Sequence, residues 1–89
     1  MTTTTPPRTM TVRVLLFARY AELLGCARLE LDLPFPATVS TAIAALRSRP
    51  GGESLPARLF VARNLEQVTD DVALEAGDEV ALLPPLSGG

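Results

Sequence analysis

Val12, Val14 and Leu16 alternate with Arg13, Leu15 and Phe17, the two-residue period of a strand. The apolar character of Leu15 and Phe17 predicts that its second half is covered on both faces, as in a central strand. Ala18 to Leu24 follows as about two turns of helix ending at Gly25, the residue best suited to a left-handed stop. From Arg28 to Leu33, Leu29, Leu31 and Leu33 alternate with Arg28, Glu30 and Asp32, which predicts a half-buried strand paired with the first. Pro34 and Pro36 then break the chain. Thr38 precedes Val39, Ile43 and Leu46 as an N-cap precedes an amphipathic helix, and that helix should end by Arg49, before Pro50-Gly51-Gly52. Leu59 to Ala62 reads as a third strand, Asn64 as the start of a turn, and Val68 as part of a short return strand. Glu75 to Asp78 is a turn, and Glu79 to Leu83 a last strand whose run Val80-Ala81-Leu82-Leu83 implies apolar cover on both faces.

Strand, strand, helix, strand, strand, with one long helix to lie across a mixed sheet, is the α+β order of a β-grasp fold. One helix covers one face, so the apolar residues on the other face of the last strand lack an internal partner and mark an interface. Phe60, Val80 and Leu82 are the residues assigned to it. The alternative is burial of that face by the loop from Arg47 to Arg58. The domain is drawn at residues 11–83, with residues 1–10 as a Thr- and Pro-rich disordered leader in which Met10 is an alternative start, and residues 84–89 as a tail.

Composition narrows what such a domain can do. Eighty-nine residues build one small core, and 47% hydrophobic with 20% charged residues is the balance of a folded chain. A net charge of −2 argues against nucleic acid as a partner. The sequence has no run of the ~20 apolar residues that a membrane span requires, and its first ten residues have no signal-peptide core, so the expected location is the cytoplasm. All eight basic residues are Arg, which removes Schiff-base chemistry and the lysine of a P-loop. Without histidine, with the single Cys26, and with no spaced carboxylates of the calcium-loop kind, neither a metal site nor a nucleophile and base pair is expected. The chain is not expected to be an enzyme by itself. Among its acidic residues, Asp70, Asp71, Glu75, Asp78 and Glu79 form a cluster able to steer a basic partner or to serve as solvated turn residues.

The end of the chain, Pro84-Pro85-Leu86-Ser87-Gly88-Gly89, carries the candidate chemistry. Two prolines remove backbone donors and fix φ, so the ladder should stop at Leu83 and the chain leave the sheet in an extended course. Six residues at ~3.3 Å each carry the terminal carboxylate about 20 Å outward, far enough to enter a pocket of another protein. Gly88 and Gly89, lacking Cβ atoms, pass through a narrow channel and accept any φ that a foreign active site imposes. A carboxylate must be activated, as by adenylation, before sulfur or nitrogen can attack it. The chain has no nucleotide-binding motif, so activation falls to a partner.

The segments Val14 to Gly25, with Phe17-Ala18-Arg19, and Gly77 to Gly89 resemble the small subunits of molybdopterin synthase, the MoaD-like sulfur carriers, and the resemblance spans Met10 to Gly89. It implies a cycle in which an E1-like adenylating partner uses ATP to form an acyl-adenylate at Gly89 and a sulfurtransferase or cysteine desulfurase system converts it to a thiocarboxylate. The tail then enters a large catalytic subunit, in a two-plus-two assembly, where sulfur passes to a cyclic pyranopterin monophosphate; two deliveries build the molybdopterin dithiolene. Gly88 and Gly89 match the family's functional pair, and no bound cofactor or metal is implied. The sequence differs from the family pattern at Arg63, where an apolar residue is usual, and at Leu86, where Val is commoner. The alternatives are another Gly-Gly sulfur carrier, of the thiamine pathway or of tRNA thiolation, a ubiquitin-like protein modifier, and a plain binding module with an inert tail.

Overall fold

In the computed structural model, which describes residues 8–84, the first strand β1 (Thr9–Leu16) lies between two others. It pairs antiparallel with β2 (Arg28–Pro34) and parallel with the last strand, β5 (Glu79–Leu83). On the far side of β5, β3 (Phe60–Arg63) runs antiparallel to it and to the short edge strand β4 (Glu66–Val68). The order β2-β1-β5-β3-β4, with α2 (Val39–Arg47) across one face and α1 (Arg19–Leu24) and a 3-10 turn (Gly52–Ser54) completing the described elements, is the β-grasp arrangement expected.

Alternation builds the core. Val12, Val14 and Leu16 of β1, Leu31 and Leu33 of β2, Val61 of β3, and Val80 and Leu82 of β5 all face α2, which answers with Val39, Ala42, Ile43 and Leu46 at helical spacing. Each Leu or Val taken wholly out of water contributes about 1.5–3 kcal/mol. Strand β1 starts earlier than its sequence indicated. Thr9 and Met10, assigned to the leader, belong to it: Met10 is 4% exposed and sits opposite Leu33, because it shares the parity of Val12 and so falls on the covered face. At the other end Phe17 lies beyond the strand and is 44% exposed, so the cover expected for it is missing, while Leu15 is half-buried.

Both helices end as their sequences require. Gly25, at φ 78°, closes α1 by donating its N–H to Ala21 O at 2.9 Å. At the start of α2, Thr38 N donates to Thr41 Oγ1 at 3.1 Å, while Val39 N and Ser40 N donate to Val72 O and Asp70 O at 3.0 and 2.9 Å. The segment before β5 thus supplies acceptors for the otherwise orphaned donors of the helix. The loop from Arg47 to Arg58 packs on the helical side. Arg47 donates from Nη1 to Leu55 O and from Nη2 to Pro56 O, at 2.9 and 2.7 Å, and Leu55 enters the core, so this loop leaves the opposite face of the sheet uncovered.

A second polar device fixes the entry to β5. Asn64 and Leu65 form a two-residue turn between Arg63 and Glu66, both with positive φ, as the primed hairpin turns require. Asn64 also donates from Nδ2 to Asp78 Oδ1 at 3.0 Å and accepts Glu79 N at 2.9 Å. Asp78, 7% exposed, accepts Glu75 N at 2.8 Å and lies 3.4 Å from Arg63 Nε, while Arg63 Nη1 reaches Ala73 O at 3.0 Å. Arg63, the departure from the family pattern, therefore has its partners built in.

These contacts predict stability changes at three positions, each measured by urea unfolding. Gly25→Ala should cost ~1 kcal/mol, the price of a Cβ at positive φ, because the space there is open. A Cβ on Gly52 would stand 1.8 Å from Leu46 O, so Gly52→Ala should cost more, about 2–3 kcal/mol, through displacement of the loop from α2. Asp78→Ala should cost at least ~2 kcal/mol, since it leaves the amide of Asn64, the N–H of Glu75 and the guanidinium of Arg63 without their acceptor, and Asp78→Asn should recover part of that.

Candidate functional site

The chain leaves the sheet from its middle. Strand β5 has neighbours on both sides, ends at Leu83, and is followed by Pro84, which has no N–H to extend the ladder and is exposed. Because β1 and β5 are parallel, the exit lies at the end of the sheet where β1 hands over to α1. Of the tail residues singled out from the sequence, Pro84 is described; Pro85, Leu86, Ser87, Gly88 and Gly89 lie outside the described residues.

Beside the exit the open face of the sheet is apolar. Phe60 stands opposite Leu83, Ala62 opposite Ala81, and Leu15 opposite Ala81 on the other side. Alternation turns these five away from α2. Phe60, Gln67, Leu83 and Pro84 line a hollow of about 370 Å³ at the root of the tail. Toward β2 the same face becomes charged, with Arg13 between Glu30 and Glu79 in the register. Of the three residues assigned from the sequence to a partner interface, Phe60 is there. Val80 and Leu82 are not: both are 0% exposed, within the core beneath α2. The open face of β5 is carried by Ala81 and Leu83, one residue out of step with the assignment. The missed signal was parity, since Ala81 and Leu83 share the face of the polar Glu79, and Val80 does not.

The acidic cluster does not act as one. Asp78 is buried and satisfied internally, whereas Asp70 and Asp71 are exposed in the segment before β5. Thr69 Oγ1 donates to the Asp71 carboxylate, which this bond, with a backbone hydrogen bond, holds below the usual carboxylate range. Among the described residues no three His, Cys, Asp or Glu side chains are grouped to hold a metal ion, and no helix is long and apolar enough to cross a membrane. Cys26 is half-buried, its Sγ 3.8 Å from Leu24 O. The arrangement is therefore a rigid sheet with an apolar open face, from which a tail emerges between strands held on both sides.

Proteins of known kind share this sequence and this shape. The model of the ThiS family matches residues 14–89. The molybdopterin synthase sulfur carrier subunit of Drosophila erecta is 40% identical over 81 residues, covering 88% of this chain and 90% of its own. That of Arabidopsis thaliana is 37% identical over 79 residues, covering 88% and 82%. In three dimensions, the crystal structure of SAMP1 from Haloferax volcanii, at 38% identity, superposes with a TM-score of 0.77 over 89% of this chain and 99% of that one. A family match that runs from β1 to the last residue, with identities of this order along nearly the whole length, has one meaning: the chain belongs to the ThiS family and is a relative of the molybdopterin synthase sulfur carrier subunits.

Proposed function

We propose that this chain is the sulfur carrier subunit of a molybdopterin synthase and that its working group is the carboxylate of Gly89. The observation that carries the reading is the family match extending through Pro84-Pro85-Leu86-Ser87-Gly88-Gly89 to residue 89, beyond a strand that ends at Leu83 and is followed by an exposed proline. An E1-like partner attacks the α-phosphate of ATP with the Gly89 carboxylate, releasing pyrophosphate and leaving an acyl-adenylate. The terminal sulfur of a persulfide on a sulfurtransferase or cysteine desulfurase then displaces AMP to give an acyl disulfide, and a thiol cleaves that disulfide, being itself oxidised, to release the donor and leave the thiocarboxylate. In the large catalytic subunit that sulfur passes to a cyclic pyranopterin monophosphate, and a second carrier completes the dithiolene.

The chain's own part is to present the acyl group. It has no His and no Lys, so it brings neither an imidazole base nor a side-chain amine nucleophile, and the catalytic groups and the bound ATP belong to the partners. It works in the cytoplasm as a non-catalytic subunit with no cofactor of its own beyond the thiocarboxylate. The large subunit, in a two-plus-two assembly, covers the open face at Phe60, Ala62, Ala81 and Leu83 while the tail is inside it. Apolar cover of that face and capture of the tail are then one binding event.

A second reading, a protein modifier, is favoured by one observation, the 40% identity over 83 residues to small archaeal modifier protein 1 of Haloferax volcanii. It would attach Gly89 to amines of other proteins, and this sequence, with no lysine, offers no side-chain amine for linking one copy to the next.

Intact mass spectrometry decides between them. With the adenylating partner, ATP and a sulfur source, the chain should gain the mass difference between sulfur and oxygen on a peptide ending at Gly89, and deletion of Gly89 should abolish the gain. Absence of that species from the intact chain would overturn the carrier reading, and isopeptide adducts on other proteins would support the modifier. Leu83→Asp, on the open face, should weaken binding to the large subunit about tenfold or more with the fold retained by circular dichroism, whereas Val80→Asp should unfold the domain.

A further inference from the structure

Pro84 stands between two hollows. One is the apolar hollow with Phe60, Gln67 and Leu83. The other, about 420 Å³, lies between α1 and the 3-10 turn and is lined by Arg19, Tyr20, Leu23, Ser54, Pro56 and Pro84. Its walls are fixed. A Cβ on Gly51 would stand 1.8 Å from Leu23 O, and one on Gly52 would stand equally close to Leu46 O, so the backbone of the turn presses directly on both helices. The two bonds from Arg47 to Leu55 O and Pro56 O hold the far wall. Tyr20 and Leu23 give the groove an apolar floor, and Arg19 is exposed at its rim, with no hydrogen-bond or ion-pair partner among the described residues.

We propose that this groove docks an acidic, apolar-flanked segment of the activating partner, with a carboxylate on the Arg19 guanidinium and an apolar side chain against Leu23 and Pro56. The proposal rests on the reading of the tail as that partner's substrate. Gly89 is five residues beyond Pro84, and five residues span at most ~18 Å, so a partner that brings the terminal carboxylate into its own active site encloses the tail down to its root. Enclosing the root covers the groove. Covering the Arg19 guanidinium without an acceptor would strand a charge away from water. A carboxylate meets its fork with two parallel hydrogen bonds and removes that penalty. In a chain of net charge −2, a cation at the tail root that has no partner among the described residues also gives the partner a local feature that orients the carrier.

Pyrophosphate-exchange kinetics with the adenylating partner test this. Arg19→Glu should raise the KM for the carrier about tenfold or more while kcat stays within about twofold, because the contact is made on docking and not at the reacting carboxylate. Arg19→Lys, which keeps the charge but loses the fork, should fall between Arg19→Glu and the unaltered chain. Arg8→Glu makes the same change of net charge before the far end of β1 and should leave KM within about twofold. The proposal is overturned if Arg19→Glu leaves KM within that range, or if Arg8→Glu raises it as much. Circular dichroism checks the fold, and Arg19→Ala replaces any Arg19→Glu chain that fails to fold, under the same criteria. If the unaltered chain is not adenylated at all, the reading of the tail falls and this proposal with it; if it is adenylated and Arg19 is neutral, the docking proposal alone fails.

Discussion

The parallel pairing of the first strand with the last is the constraint on which the rest of this structure depends. Its register, Arg13 opposite Glu79 through Leu16 opposite Leu82, inserts the end of the chain into the middle of the sheet. A parallel pair cannot be closed by a tight turn, so everything between β1 and β5 serves as its crossover, including the helix that covers the core. A central strand cannot fray without losing hydrogen bonds to β1 and β3 together. The tail therefore starts from a fixed point, Leu83, and Pro84 ends the ladder there by lacking a donor.

The polar side chains of the fold serve that same strand. Asp78 is buried immediately before β5, and its acceptors are filled by Asn64, Glu75 and Arg63, while Asn64 returns an acceptor to Glu79. Asp78 O and Thr11 O in turn engage Arg13 N and Gly77 N at 2.9 and 2.8 Å, so the turn is stitched to β1 as well. A buried carboxylate is costly unless each of its lone pairs is answered, and here the answers come from the hairpin tip on one side and the turn on the other. The network sets where β5 begins, as Pro84 sets where it ends.

Much of this was legible in the sequence because the signals were local. Alternation in β1 and β2, the Thr38 cap, the Gly25 stop and Pro84 each act within a few residues, and the strands and the two α-helices formed where they were expected within two or three residues. The reading failed where two faces had to be told apart. In Val80-Ala81-Leu82-Leu83 every residue is apolar, so the run itself does not say which parity meets α2; the polar Glu79 before it points Ala81 and Leu83 outward, and the register to Val14 and Leu16 across the sheet settles that Val80 and Leu82 go inward. Met10 was lost for the converse reason, since threonines and prolines before it masked a parity it shares with Val12. Asp78 and Arg63 were invisible as a pair because 14 residues of turn and strand separate partners that only the tertiary fold brings together.

The division of labour between body and tail has a physical basis in these two faces. A sheet covered by one helix buries its core on one side and leaves Phe60, Ala62, Ala81 and Leu83 on the other, apolar but built partly of alanines and already half-covered or better in the free chain. Such a face yields only a modest gain when a partner covers it, since the gain follows the area newly removed from water. Under the proposed function, in which the chain visits an activating partner and then a receiving one, that modesty is needed, because a face able to bind either permanently would stop the cycle at that step. Selectivity then has to come from features next to the tail and not from area: the hollow with Phe60 and Leu83 on one side of Pro84, and the groove with Arg19 on the other, each small, each rigid, and each within reach of whatever takes hold of the terminal glycines.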